Sequence, residues 1–100
     1  MKDPPDVPPY GRTRSPTEWG RLLRAERRRQ GRTLAEVYEV SALTTRFLSE
    51  LERGKENASL GRALQAMESL GLDVLVVPRS DADALLRVLR ERHRGRDGSR

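Results

Sequence analysis

Between residues 33 and 54 lie two short amphipathic segments with only Ser41-Ala42-Leu43 between them, and this spacing constrains the fold more than any other feature of the chain. Thr33-Leu34-Ala35-Glu36 opens the first segment as a capping box: the threonine hydroxyl can accept from the Glu36 amide, and the carboxylate can reach back. Leu34, Val37 and Val40 follow at helical spacing. Thr44 or Thr45 can cap the second segment, where Leu48 and Leu51 point inward, Phe47 flanks them and Gly54 is the stop. Two short helices with a tight break, the second capped by threonine, have helix-turn-helix spacing.

The flanks read as further helices. Ser15-Pro16-Thr17-Glu18 offers a cap and a first-turn proline, Trp19, Leu22 and Leu23 mark a buried stripe, and Gly31 ends that helix. Ser59 caps a fourth helix with an apolar stripe of Leu60, Ala63, Leu64, Met67 and Leu70, closed by Gly71. Then the texture changes. Leu72-Asp73-Val74-Leu75-Val76-Val77 is short and β-branched, closed by Pro78, and reads as a strand. A lone strand leaves its amides and carbonyls without partners. The simplest pairing is with the same strand of a second copy, antiparallel across a two-fold axis; a hairpin within the chain is the alternative, but no partner segment is visible. A last helix over 80–93, capped by Ser80 or Asp81, carries Leu85, Leu86, Val88 and Leu89 on one face. The expected organisation is a disordered arm over 1–16, a helical domain over 17–71, a dimerisation strand over 72–79, a helix over 80–93 and a disordered basic tail over 94–100. The fold class is mainly α, with four to five helices and one C-terminal strand pairing across a homodimer.

Charge and composition narrow the function. The formal net charge is +5, and it is uneven: six arginines fall within residues 21–32, where Glu26 is the only acid. Six more fall within 87–100. Such clusters suit a polyanion, although a solvated helix face gives the same pattern. Cysteine is absent, which excludes disulfides and thiolate metal sites. The one histidine, His93, stands among arginines at the end of the expected last helix, and neither paired carboxylates nor a glycine-rich phosphate loop appears. No enzyme and no cofactor is expected. No apolar run spans a bilayer and the start lacks a signal-peptide core, so the expected location is the cytoplasm. A membrane-surface helix over 81–94 is disfavoured by its acidic first turn.

The helix-turn-helix reading predicts DNA contact. The major groove admits one α-helix, and the first helix of the pair braces the second so that its amino-terminal residues reach base edges. With Leu48 and Leu51 turned inward, Thr45, Arg46 and Ser49 turn outward. Arg46 can donate two hydrogen bonds to guanine, while Thr44, Thr45 and Ser49 can bond bases or phosphates.

Gly31-Arg32-Thr33-Leu34-Ala35-Glu36-Val37 and Leu43-Thr44-Thr45-Arg46-Phe47-Leu48-Ser49-Glu50-Leu51-Glu52-Arg53-Gly54-Lys55 resemble the Xre/Cro-type helix-turn-helix family, with its lambda repressor-like fold. The likeness covers about residues 19–71. Leu70 to Arg79 resembles the tail of HipB-like antitoxins, in which the strand after the helices pairs between subunits. The resemblance implies that Thr44, Thr45, Arg46 and Ser49 contact bases, that Arg32, Arg53, Lys55 and Asn57 face phosphate, and that Arg27 and Glu52 form a partly buried pair locking the first helix to the third. It also implies three partners: a double-stranded DNA operator, a second copy of the chain, and a HipA-type serine/threonine kinase toxin. The chain departs from the family at Leu34, where glutamine is usual, at Tyr38, where a small residue is usual, and at Ala42, where the turn has glycine. Glu26 stands where a small apolar residue is expected, and Glu50 places a carboxylate near the DNA side. The function these features point to is a dimeric repressor acting as the antitoxin of a toxin–antitoxin pair. The alternative is an interaction module that restrains a partner through residues 80–93, with little DNA role.

Overall fold

Four hydroxyls turn onto the amide three residues ahead, and each starts a helix. Ser15 Oγ accepts from the Glu18 amide at 3.2 Å, Thr33 Oγ1 from Glu36 at 3.1 Å, Thr44 Oγ1 from Phe47 at 3.0 Å and Ser59 Oγ from Arg62 at 3.3 Å. Behind these caps run α1 (Pro16–Arg29), α2 (Leu34–Ser41), α3 (Thr45–Glu52) and α4 (Leu60–Ser69) in a computed structural model that describes residue 8 and residues 10–98. The Glu36 carboxylate accepts the Thr33 amide at 2.8 Å, which completes the box. Thr44, not Thr45, is the cap of α3.

Helix ends are closed by a left-handed residue. After α3, Gly54 takes φ +87°, and the amides of Gly54 and Lys55 donate back to the carbonyls of Leu51 and Glu50 at 3.0 and 3.1 Å. This satisfies two carbonyls that the helix end would leave bare. The ends of α1 and α4 repeat the arrangement. At the end of α2 the left-handed position is held by Ala42, at φ +63°, and not by glycine.

The core is built from Leu23, Val37, Leu43, Leu48, Leu51, Ala63, Ala66, Met67 and Leu70, with Trp19, Leu34, Phe47, Ala58 and Leu72 packed on it. α3 packs on α1 and α2, and α2 packs on α4. Two expected stripes are turned relative to this core. Val40 is 62% exposed and Leu60 67% exposed, with Leu64 also on the surface. In α4 the small side chains of Ala63 and Ala66 face inward beside Met67 and Leu70, so the buried arc lies to one side of the apolar stripe.

The chain after α4 differs from expectation. Residues 72–78 form neither strand nor helix, and the strand expected over Leu72 to Val77 is not found among the described residues. A strand requires a ladder, and among the described residues no segment supplies one; Leu75 and Val76 are left 74% and 95% exposed. α5 then runs Arg79–Gly98. It starts ahead of Ser80 and Asp81, which lie inside its first turn and do not cap it, and the Asp81 amide donates to the Pro78 carbonyl at 2.9 Å. It also continues past residue 93, through part of the stretch expected to be a disordered tail. Part of the expected disordered arm is placed as well: the Tyr10 ring lies 4.9 Å from that of His93, and Arg12 is paired with Asp83 of α5. Residues 1–7, 9, 99 and 100 lie outside the described residues. Among the described residues, no helix is long and apolar enough to cross a membrane.

Candidate nucleic-acid interface

The first turn of α3 presents Thr44, Thr45 and Arg46, all exposed, with the Arg46 side chain 88% accessible. Ser49, one turn on, is half-buried. Its position is fixed from both ends. At the amino end, buried Ser41 accepts the Leu43 amide on its hydroxyl at 3.1 Å, and its carbonyl accepts Gln65 Nε2 of α4 at 2.6 Å. The turn into α3 is therefore pinned by α4, and Leu43 is driven into the core.

The carboxyl end of α3 is clamped to α1. Arg27 Nε and Nη2 donate to the two oxygens of Glu52 at 2.6 and 3.1 Å, and Nη1 donates to the Arg32 carbonyl at 2.8 Å. The side chains are 14% and 5% exposed, so the guanidinium joins α1, α3 and the α1–α2 turn with little competition from water. Gly20 makes the approach possible. A Cβ built there would stand 2.5 Å from the Glu52 carbonyl oxygen and closer still to that of Leu51. Gly20 is not among the residues that the sequence marks as functional. Its signal was a glycine inside an amphipathic helix, where alanine is the better helix former.

Glu26, out of place by pattern, has a partner in the structure. Its carboxylate accepts Gln30 Nε2 at 2.7 Å and Arg29 Nε at 3.2 Å, and the same Gln30 nitrogen lies 2.8 Å from the Leu70 carbonyl. The pair ties the end of α1 to the end of α4. Leu34 packs on the core, and Tyr38 is about half exposed, at 48%.

Of the residues expected to face phosphate, Arg53, Lys55 and Asn57 are exposed around the turn after α3, and Arg32 is half-buried beside the start of α2. Glu50 lies among them. It accepts Lys55 Nζ at 3.2 Å and Arg46 Nε at 3.4 Å. Lys55 holds its carboxyl below the ordinary carboxylate range against the opposing effect of desolvation, and Arg46 adds to the lowering after these. The face thus combines exposed donors on a helix start with a rim of cations. Among the described residues no group of three or more His, Asp or Glu side chains is gathered as a metal would need.

No family model matches the chain. A curated relative, the uncharacterized HTH-type transcriptional regulator y4mF of Sinorhizobium fredii, is 33% identical over 63 residues, covering 63% of this chain and 83% of that protein. Among solved structures, a HipB–O2 20mer complex superposes with a TM-score of 0.66 at 21% identity, over 70% of this chain and 97% of that one. A HipA–HipB–O2–O3 complex superposes with a TM-score of 0.65 at 20% identity, over 70% and 99%. At these identities the structural likeness is one of fold.

Proposed function

The chain belongs to the Xre-type helix-turn-helix transcriptional regulators, and from that premise we propose that it binds a two-fold DNA operator as a homodimer and represses transcription there, as the antitoxin of a HipA-type kinase. The observation that carries this reading is the first turn of α3: Thr44, Thr45 and Arg46 are exposed while both ends of the helix are fixed to the scaffold. A helix so held can be pushed into a major groove without rearranging. Thr44, Thr45, Arg46 and Ser49 read base edges, and a guanidinium forked onto guanine is worth about 1–3 kcal/mol of discrimination. Arg32, Arg53, Lys55 and Asn57 meet phosphates, which adds affinity that salt removes.

Dimerisation falls to residues 72–77. Val76, 95% exposed, and Leu75, 74% exposed, stand beside a groove of about 560 Å³ walled by α5 and the arm. Pairing these residues antiparallel with a second copy supplies the missing ladder and covers the apolar side chains. Two reading heads related in this way fit half-sites about one helical turn, ~34–36 Å, apart. The kinase partnership is supported by the fold shared with the HipB chain of the HipA–HipB complex.

Selection of bound duplexes from a random pool at moderate salt tests the reading. The expected outcome is an inverted repeat whose affinity falls steeply with salt, and a pool without preferred sequence refutes it. A second reading, an interaction module acting through α5, is favoured by Val88, 60% exposed on that helix. It requires that removal of residues 80–100 abolish capture of a kinase partner and that the full-length chain select no preferred DNA sequence.

A further inference from the structure

Beside the exposed start of α3, three charged side chains meet that the core does not use. Glu50 is 27% exposed, while Lys55 is 48% and Arg46 88% exposed. The carboxylate therefore sits at the base of the cluster, and the two cations rise from it. One Glu50 oxygen accepts Lys55 Nζ at 3.2 Å, and the other accepts Arg46 Nε at 3.4 Å. A carboxylate on a surface meant for phosphate is a cost in attraction. Its geometry shows what offsets that cost.

We propose that Glu50 is a positioning residue for sequence reading: it steers the Arg46 guanidinium toward a base edge, and Lys55 holds Glu50 in place from the other side. The proposal rests on the operator reading above. Arg46 and Glu50 are one helical turn apart, so their side chains share a face of α3. The bond to Glu50 takes Nε and leaves both Nη groups available. Those two nitrogens form the fork that matches O6 and N7 of guanine. An arginine without this tether samples many rotamers and is drawn to the nearest phosphate, which carries no sequence information. Lys55 comes from the turn after α3, and its amide donates to the Glu50 carbonyl at 3.1 Å, so its backbone is fixed relative to the carboxylate it meets. With the carboxylate charged, Glu50, Arg46 and Lys55 sum locally to one positive charge; without it they sum to two. The device gives up general attraction to DNA in return for discrimination.

Glu50→Gln separates the two quantities. Full-length wild type and variant are titrated onto the selected operator and onto a scrambled duplex at several salt concentrations. The variant is expected to bind scrambled DNA more tightly, with a log–log salt slope steeper by about one per subunit. Its operator-to-scrambled affinity ratio is expected to fall about twofold per subunit, or four- to fivefold for a dimer, the scale of an exposed pair one turn apart. In an Arg46→Ala background the same substitution is expected to leave the ratio unchanged. A ratio that stays constant while scrambled DNA binds more tightly overturns the proposal, because Glu50 then acts only as a charge. So does an equal fall of the ratio in the Arg46→Ala background, and so does a parallel loss on both duplexes together with lost helicity. A wild-type chain that selects no sequence refutes the operator reading itself, and this proposal with it.

Discussion

Replacing Gly20 with alanine adds one methyl group at the crossing of α1 and α3, and the structure indicates how much that will cost. The new Cβ would stand 2.5 Å from the Glu52 carbonyl oxygen and 2.8 Å from its carbonyl carbon, where ordinary contact begins near 3.4 Å. The obstacles are backbone atoms of the last turn of α3, not the tip of a flexible side chain, so the two helices must separate by about 1 Å. Overpacking of this kind costs about 1–3 kcal/mol, and the rigid obstacle points to the upper end. Alanine returns about 1 kcal/mol in helix propensity. The net expectation is a loss of about 2 kcal/mol, or about 8–16 °C in Tm for a domain of this size. Gly61, in the first turn of α4, supplies the control: a Cβ there meets only Ser59 Oγ, at 3.8 Å. Gly61→Ala should therefore be neutral or stabilising by up to about 1 kcal/mol. Urea unfolding of both variants, followed by circular dichroism, decides the matter. If Gly20→Ala is as stable as wild type, the close crossing is not what sets the distance between α1 and α3. Spreading the crossing should also lengthen the Arg27–Glu52 bonds and move the recognition helix. Operator affinity is then expected to fall further than the lost stability alone accounts for at a temperature where the variant is folded.

Three further outcomes are expected. Glu52→Gln leaves the Arg27 guanidinium largely buried without its countercharge and should cost about 3 kcal/mol in urea unfolding, part of which the double variant with Arg27→Met recovers. Ala42→Gly relieves a left-handed alanine and should stabilise the chain by about 0.5–1 kcal/mol, measured in the same way; destabilisation would mean that the Ala42 methyl contributes more than its conformation costs. Glu18 is held below its ordinary value of 4.5 by the Arg14 amide first and the Arg14 guanidinium second, so its contribution to stability is complete above that value and is lost as pH falls through the lower folded value. Thermal melts between pH 3 and pH 6 should accordingly show a shallower acid decline for Glu18→Gln than for wild type.

What the sequence made legible was local. The caps of Ser15, Thr33 and Ser59 rest on a hydroxyl and an amide three residues apart, and this chemistry does not depend on the rest of the fold. Contacts between distant residues were less accessible. Arg27 and Glu52 were brought together only by family resemblance, since no spacing rule links positions on two helices. Gly20 carries no periodic signal because it lacks a side chain, and its role depends on the backbone of α3 filling the space beside it. Glu26 broke the apolar pattern because the pattern omits Gln30, which meets it from one turn away and also reaches the Leu70 carbonyl. Leu60 and Leu64 were assigned to the core because their spacing is correct, but Ala63 and Ala66 face inward in α4. At residues 72–77 composition favours a strand, and pairing requires a ladder that the described residues of one chain do not supply. α5 runs past its expected end through residues that include Gly95, Asp97 and Gly98, none of them a strong helix former, so propensity in the sequence did not mark the continuation.

The cap of α3 divides its exposed first turn into two kinds of position. Thr45 and Arg46 give the fold little: neither joins the core, and the Arg46 side chain is 88% exposed, with only the exposed pair to Glu50 on its own helix. Thr44, also exposed, holds the Phe47 amide and starts the helix. Thr45 and Arg46 can thus mutate through many side chains without loss of stability, whereas Thr44 is restricted to serine, asparagine or aspartate if the cap is to survive. A lineage of such chains can drift to new target sequences through two letters of its reading surface while the third stays within a narrow alphabet. The address can evolve faster than the scaffold that delivers it.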